Sequence, residues 1–510
     1  MTKKLTKLFM TATAAAMLTA GITAVPALAD EEPYEIYMNF PTFGTTQEGI
    51  YDVEDYINEC LKDDGIDAKV VFQPVSVFNL ANENNLTISA GDKLDLIFTM
   101  WAGGLSDYIN KNAIIELDDL YAEYGQEMAE VQGTSAMGGY YNGKLYGITY
   151  TDNTGSNTAY HMRKDLLDEY IEETGFEYDH DAIYTLDDLE KILEWCHNKY
   201  PDMYLFAGTG ATTDMFEFFY GLDSLGSSSI NSGVLFLDGS KDTTIQNPFA
   251  TEEFMDYAKR MKDWADKGYF SANDATNEDA ASVQMPTGNY AGWVTACYVS
   301  DFKAVDYGYE LCPIQLTPHC ITTSSLSDAA WAISINCEQP EKVMQFLNAF
   351  YTDGRISNAW RWGLEGVTYE VKETLEDGHV LADFVEGKDA TTVPYYNSFN
   401  LGNVDLVYGD YSTENQAYYD QLEKLREVSA QETEDKVVSL GYRFDTSSVS
   451  TEMAAMSSVT SRYLGLLSYG VTEDVEATVA EMNEALETAG ISKVIEENQK
   501  QFDAWLAEQN

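Results

Sequence analysis

Tyr34-Glu35-Ile36-Tyr37-Met38-Asn39-Phe40, Ala68-Lys69-Val70-Val71-Phe72 and Leu94-Asp95-Leu96-Ile97-Phe98 are three short apolar runs that read as β-strands. In the first, Ile36, Met38 and Phe40 recur at period two, which puts them on one face of a strand. Between the first and second runs, Tyr51–Leu61 carries Val53, Tyr56, Ile57 and Cys60 along one helical stripe. Val77–Ser89 predicts a second helix before the third run, and Leu105–Asn110 a third helical piece leading into Ile114-Ile115. Strand–helix–strand–helix–strand predicts an α/β fold with a parallel, doubly wound sheet and right-handed crossovers. In such sheets ligands lie beyond the carboxyl ends of the strands. Two of those ends carry an aromatic beside small or polar residues: Asn39-Phe40-Pro41-Thr42-Phe43-Gly44 and Thr99-Met100-Trp101-Ala102-Gly103-Gly104.

From about Tyr160 the pattern becomes richer in helix. Lys164–Thr174, Leu186–Tyr200 and Thr251–Lys267 read as amphipathic helices, and strands return at Tyr290–Tyr298, Tyr309–Ile314 and Ala329–Ile335. A helix is expected from Pro340 to Tyr351. The last stretch predicts three more, Thr451–Leu467, Val471–Ala489 and Ile491–Glu508, separated at Gly470 and Gly490. Gly221–Ser240, rich in Gly, Ser and Asn, reads as a surface excursion or a binding loop. No internal repeat stands out.

The chain has 510 residues, 85 acidic against 30 basic side chains, and a formal net charge of −55. Phosphate affinity comes from clustered Lys and Arg, so nucleic-acid binding is excluded. An aromatic content of 13% (35 Tyr, 22 Phe, 8 Trp) with 45% hydrophobic residues argues against disorder. The length predicts more than one domain.

Lys3, Lys4 and Lys7 precede an apolar stretch from Leu8 to Val25 and then Pro26-Ala27-Leu28-Ala29. That is the pattern of a secretory signal at residues 1–29, cut after Ala29. The exported chain is then three charges more negative than −55, with no later apolar run of membrane-spanning length. Cys60 is the first cysteine, so the expected product is extracellular or at the cell surface without a lipid-anchor cysteine. Six Cys are too few for a disulfide scaffold. Cys312 and Cys320 could close a small loop or stay as thiols. There is no serine-hydrolase elbow, zinc-protease helix, P-loop or EF-hand loop. Asp179-His180-Asp181 reads as solvated charge rather than a metal cluster. No catalytic residue, cofactor or metal is expected, and a glycosidase pair cannot be inferred where carboxylates are this numerous.

Several blocks together resemble the extracellular solute-binding proteins (family 1-like) of carbohydrate ABC transporters, in the large two-lobed Gram-positive subgroup. They are Asp95-Leu-Ile-Phe-Thr-Met-Trp101, Tyr141-Asn-Gly-Lys-Leu-Tyr-Gly-Ile-Thr149, Tyr160-His-Met-Arg-Lys-Asp-Leu-Leu167 and Thr185-Leu-Asp-Asp-Leu189. Further on come Asp328-Ala-Ala-Trp-Ala-Ile-Ser334, Pro340-Glu-Lys-Val-Met-Gln-Phe-Leu347, Gly363-Leu-Glu-Gly-Val-Thr-Tyr369 and Gly441-Tyr-Arg-Phe-Asp445. The last block and the helical tail are similar to a C-terminal domain of no assigned separate activity.

The resemblance implies a two-lobed, periplasmic-binding-protein-like fold of class II type. Each lobe would be a doubly wound sheet flanked by helices, with a helical C-terminal extension, closing on ligand by rigid-body rotation. By analogy the chain crosses near Thr149–Tyr160, Thr317–Asp328 and after Gly363. The expected division is 30–149 plus 328–363 for one lobe and 150–327 plus 364–510 for the other. The implied function is capture of an oligosaccharide for delivery to ABC permease subunits, by a monomer. A receptor of the same fold for peptide or amino-acid-like ligands, and a secreted glycan-active enzyme or adhesin, remain as alternatives.

A pyranose offers an apolar face and a rim of hydroxyls, so aromatic platforms edged by amides and carboxylates are the expected contacts. Trp101 at the end of the third strand is the leading platform. Trp293 resembles the family's second-lobe tryptophan, while Trp331 sits in an apolar strand and could equally be core. Of Trp360 and Trp362, one is expected to reach the cleft, with Trp362 favoured. Asn39, Phe40 and Thr42 after the first strand, Asp152 and Asn157 by the hinge, Tyr160, and Arg361 and Glu365 at the third crossing complete the expected site.

Overall fold

The computed structural model of the chain describes residues 32–42, 47–100, 104–151, 154–155, 157–208, 216–227, 229–271, 273–274, 279, 281–297, 308–327 and 329–509. Strand β1 (Tyr34–Thr42) pairs in parallel with β2 (Ala68–Ser76) along its whole length and with β3 (Leu96–Met100) on its other edge. Helices α1 (Ile50–Asp63) and α2 (Leu80–Ala90) make the two crossovers, α1 burying Val53, Ile57 and Leu61. β2 runs past its expected end at Phe72 because the ladder continues to Ser76 opposite Thr42. The Val77 amide then donates to the Thr42 carbonyl, holding the chain extended and delaying the start of α2. α3 (Leu105–Asn110) follows β3, and β4 (Ile148–Thr149) ends the segment.

The chain then builds β5 (Asn157–Arg163), α4 (Lys164–Thr174), α5 (Leu186–Lys199), α6 (Glu252–Lys267), β6 (Gly292–Cys297) and β7 (Leu311–Gln315). It returns as β8 (Ala329–Ile333), α7 (Pro340–Thr352) and α8 (Gly354–Trp362). The first sheet is five-stranded in the order β2-β1-β3-β8-β4. β8 runs antiparallel to both neighbours, so the sheet is mixed rather than wholly parallel. Its alternation sorts the core. Phe98, Trp331 and Ile333 join Ile36, Met38, Val343 and Phe350 on one face, while Ile97 and Ala332 meet Leu105 and Tyr108 on the other.

A second core surrounds β5, which is flanked by β6 and β7, both antiparallel to it. Among the described residues this second sheet is antiparallel, where a doubly wound one was expected. The reason is local: α4 follows β5 directly, and the chain re-enters the sheet only after α6, reversed. Thr185 and Asp188 cap α5 reciprocally, an N-terminal signal legible in Thr185-Leu-Asp-Asp-Leu189.

After α8 come β9 (Tyr369–Thr374), β10 (Val380–Phe384), β11 (Gly409–Asp410), α9 (Gln416–Lys436), α10 (Ser450–Ser468), α11 (Val475–Ala489) and α12 (Ile491–Gln509). The helical tail is no appendage: Tyr442, Met456, Leu467, Met482 and Phe502 belong to the second core. Residues just before α9 do not follow the expected division, which gave all of 364–510 to the second lobe. Tyr395 and Leu401 lie in the first core, Trp331 Nε1 donates to the Leu401 carbonyl at 2.7 Å, and Gly49 N–H donates to the Pro394 carbonyl at 3.0 Å. No helix among the described residues is long and apolar enough to cross a membrane.

Candidate functional site

β1, β2 and β3 end at one edge of the first sheet, the edge at which the antiparallel β8 begins. There the start of α3 faces segments of the second core across a cavity of about 620 Å³. Gly104, Ser106 and Asp107 line it from α3, and Gly226, Ser227 and Ser229 from the Gly- and Ser-rich loop of the second core. Ser324 and Ser327 on the returning chain, with Arg443, Phe444 and Met453, complete the wall. Serine hydroxyls both donate and accept, so this lining suits a ligand rimmed with hydroxyls.

The loop at Gly226 is held from beneath. Asp223 is fully buried, accepts from Leu225 N–H at 2.8 Å and from Ser439 Oγ, and burial pushes its carboxyl pKa upward. Leu225 has φ +60, and Gly226 φ +72. A Cβ on Gly226 would stand 2.9 Å from Arg443 Cα, so that approach requires glycine.

Arg443, itself buried, joins the two sides. Its Nη1 donates to the Gly226 carbonyl at 3.2 Å, on the second core. Its Nη2 donates to the Gly138 carbonyl at 3.0 Å and its Nε to the Tyr140 carbonyl at 3.4 Å, in the segment leading to β4; Nη1 also reaches Ser106 Oγ at 3.4 Å. Gly138 is packed so tightly that a Cβ would lie 2.3 Å from the Leu326 carbonyl oxygen.

A second cavity, about 280 Å³, opens at the end of β1 between Phe40, Thr42, Gln47 and the Tyr395–Ser398 segment. Gln47 fixes that wall with a two-way bond to the Tyr396 backbone, donating at 2.8 Å and accepting at 2.6 Å.

Of the residues expected from the sequence, Thr42 lines this second cavity, and Phe40 reaches it from within the first core, packed against Phe72 and Trp360. Asn39 is buried, donating to Asn84 Oδ1 at 3.0 Å. Arg361 lines a separate cavity of about 320 Å³ beside the β9–β11 sheet, and Glu365 is exposed. Trp101 and Asp152 lie outside the described residues.

The others are structural. Trp331 is buried in the first core, so the core alternative holds for it. Trp360 and Trp362 are both buried, where one was expected to reach the cleft: Trp360 sits among Phe40, Phe72 and Phe350, and Trp362 donates to the Tyr408 carbonyl at 2.8 Å. Tyr160 is fully buried with its hydroxyl on the Leu205 carbonyl. Trp293 packs beside His161, and Asn157 donates to Gln315 Oε1 at 2.8 Å beneath the surface. Burial removes the aromatic faces a sugar would need.

Sequence reasoning missed Gln47, Ser106, Tyr395, Tyr396 and the serines of the return. Gly221–Ser240, read as a possible binding loop, contains Gly226–Ser229, and the block Gly441–Asp445 contains Arg443 and Phe444. Asp179-His180-Asp181 is tied down, Asp181 pairing with Lys424 and His180. Cys320 is a buried thiol not bonded to Cys312, its pKa pushed up to about 12 by burial.

Solved structures share this fold. The N-glycan transport solute binding protein of Streptococcus pneumoniae superposes with a TM-score of 0.77 at 20% identity, over 94% of this chain and 100% of that one. The fold is that of a two-lobed solute-binding protein. A human-milk-oligosaccharide-binding, ABC-transporter-associated solute-binding protein of Bifidobacterium longum infantis matches with a TM-score of 0.66 at 14% identity, over 93% and 100%. In sequence the chain is 24% identical over 456 residues to a carbohydrate ABC transporter substrate-binding protein of S. pneumoniae, covering 86% of this chain and 85% of that protein. Residues 438–507 match a domain of unknown function, DUF3502. In this solute-binding fold that stretch is the source of both Arg443 and the α10–α12 packing of the second core.

Proposed function

We propose that the chain is an exported receptor that captures an oligosaccharide between two lobes and delivers it to the permease of an ABC transporter, without chemical turnover. The observation that carries this reading is the 620 Å³ cavity, built from both cores and lined by hydroxyl groups around one arginine and one aromatic ring. A ligand there touches both lobes at once, which is what a receptor that signals occupancy by closing requires. The described lining holds a single carboxylate, Asp107, whereas glycoside hydrolysis uses two facing each other. The relatives support the ligand class: the S. pneumoniae N-glycan transport protein was solved with Man1GlcNAc and with Man5GlcNAc. We place the first lobe around the β1–β4 and β8 sheet with the chain to Asn403, and the second around β5–β7 with the helical tail. The secretory pattern of the first residues accords with a receptor working outside the cell.

Tryptophan fluorescence titrated against a glycan panel containing Man1GlcNAc and Man5GlcNAc tests the reading. Saturable change with unaltered sugar is expected. Release of cleaved product, or saturation by peptides and by no sugar, would overturn it.

A further inference from the structure

Among the described residues, the charged side chains that line the 620 Å³ cavity are Asp107 and Arg443, and both are already engaged. Asp107 on α3 pairs at 2.6 Å with Lys111, one turn further along, and Lys111 also donates to Asn85 Oδ1 at 3.2 Å. Arg443 is buried, and each of its three guanidinium nitrogens donates within the protein. Nε serves the Tyr140 carbonyl, Nη2 the Gly138 carbonyl, and Nη1 both the Gly226 carbonyl and Ser106 Oγ. An arginine clamps a carboxylate through two parallel N–H bonds from one edge of its fork. Here every edge is in use.

An acidic group on a ligand therefore meets no open counter-ion in the described wall. It meets like charge instead. Asp107 lines the cavity, Asp445 follows Phe444 of the lining and accepts from Ser447 N–H at 2.9 Å, and the chain as a whole carries −55. Placing an anion there costs desolvation without a charge partner, and adds repulsion that salt screens only in part. A neutral pyranose carries neither cost, because serine hydroxyls both donate to and accept from its own hydroxyls.

We propose that this cleft selects glycans by charge: it takes neutral oligosaccharides and rejects those that carry a carboxylate, with Asp107 as the residue that sets the rejection. The inference rests on the receptor reading and narrows its ligand class. Specificity of this kind comes from a repulsive element against the wrong ligand as much as from contacts with the right one.

Calorimetric titration of the full chain tests it, with Man1GlcNAc and Man5GlcNAc each in three forms: unmodified, with one mannose oxidised at C6 to the uronate, and as the methyl ester of that uronate. The ester keeps the added bulk and removes the charge. The acid is expected to bind at least about tenfold more weakly than its ester, and added salt should narrow that ratio. Asp107→Asn should close the ratio severalfold, whatever it does to the neutral affinity, and Asp107→Glu, which keeps the charge, should restore it. An acid that binds as tightly as its ester overturns the charge selection and leaves the receptor reading intact. A ratio that Asp107→Asn leaves unchanged overturns the part given to Asp107. If no form of either sugar binds, both readings fall.

Discussion

At the scale of single residues, Trp331 shows how a sequence that offers a sugar platform can spend it on the core. Its ring packs edge-on to Phe98 at 4.7 Å and to Trp360 at 6.2 Å, and its indole N–H is satisfied by Leu401. Trp331→Ala should cost about 3–5 kcal/mol, from the lost burial, the cavity left and the orphaned carbonyl. Trp331→Phe keeps most of the packing and should cost nearer 1–2 kcal/mol while leaving glycan affinity unchanged. Denaturant unfolding and fluorescence titration of the two variants check this; a large loss of affinity in Trp331→Phe would return the residue to the site. Periodicity within Ala329–Ile333 placed Trp331 on a strand face, but which face meets solvent depends on the chain near Leu401, some seventy residues away. The same holds for Tyr160 and Trp362, whose buried partners Leu205 and Tyr408 no local pattern announces. The place of Thr42 at a cavity wall was legible because the carboxyl end of a strand in a wound sheet is a fixed address.

Elements with an apolar stripe were legible; those held by polar contacts were not. α1, α4, α5 and α6 bury their Leu, Ile, Phe and Tyr positions at helical spacing and stand where expected. α9 went unread because its only buried residues are Ser429 and Thr433. Ser429 Oγ bonds the Thr154 carbonyl, and Thr433 Oγ1 accepts from Ile321 N–H at 2.7 Å, so this helix straps the first and second crossings together. Near the same crossings stand two buried histidines. His161 on β5 packs beside Trp293, and His319 Nε2 donates to Gln315 Oε1 at 2.8 Å. Burial lowers both imidazoles to about 4. They are therefore neutral in the fold, while in the unfolded chain they take up protons below about pH 6.5. The stabilisation is complete above pH 6.5 and is lost as pH falls toward 4, about 2 kcal/mol for each histidine between pH 7 and 5. Asp274 acts in the opposite sense, because burial raises its carboxyl to about 6. His319→Gln keeps a donor for Gln315 and isolates one histidine: urea unfolding at pH 7 and 5 should show a smaller acid loss than in the wild type. An unchanged difference would mean that His319 titrates normally.

For the whole molecule, the −55 charge sets a problem that a ligand-closing receptor must manage, since like charges drive two lobes apart. Arg443 is placed to oppose that, a buried cation with carbonyl partners at Gly138 and Tyr140 on one side and Gly226 on the other. It belongs to the segment matched by a domain without assigned function, and its bonds run from that segment to carbonyls on both sides of the 620 Å³ cavity. Charge-assisted hydrogen bonds contribute about 1.5–3 kcal/mol each, enough to shift a two-state opening equilibrium by an order of magnitude. Arg443→Ala should enlarge the radius of gyration of the sugar-free protein in small-angle scattering, most clearly at low salt, where repulsion is least screened. Because the binding-competent arrangement would then be populated less often, glycan affinity should fall about tenfold, or about 1.4 kcal/mol. Saturating glycan should return the scattering curve to that of the loaded wild type, since ligand contacts with both lobes replace the lost clasp. Arg443→Lys, with a charge but no fork to reach both sides, should fall between the two. If Arg443→Ala scatters and binds like the wild type, the lobes are held by other contacts, and Arg443 only braces the loop at Gly226.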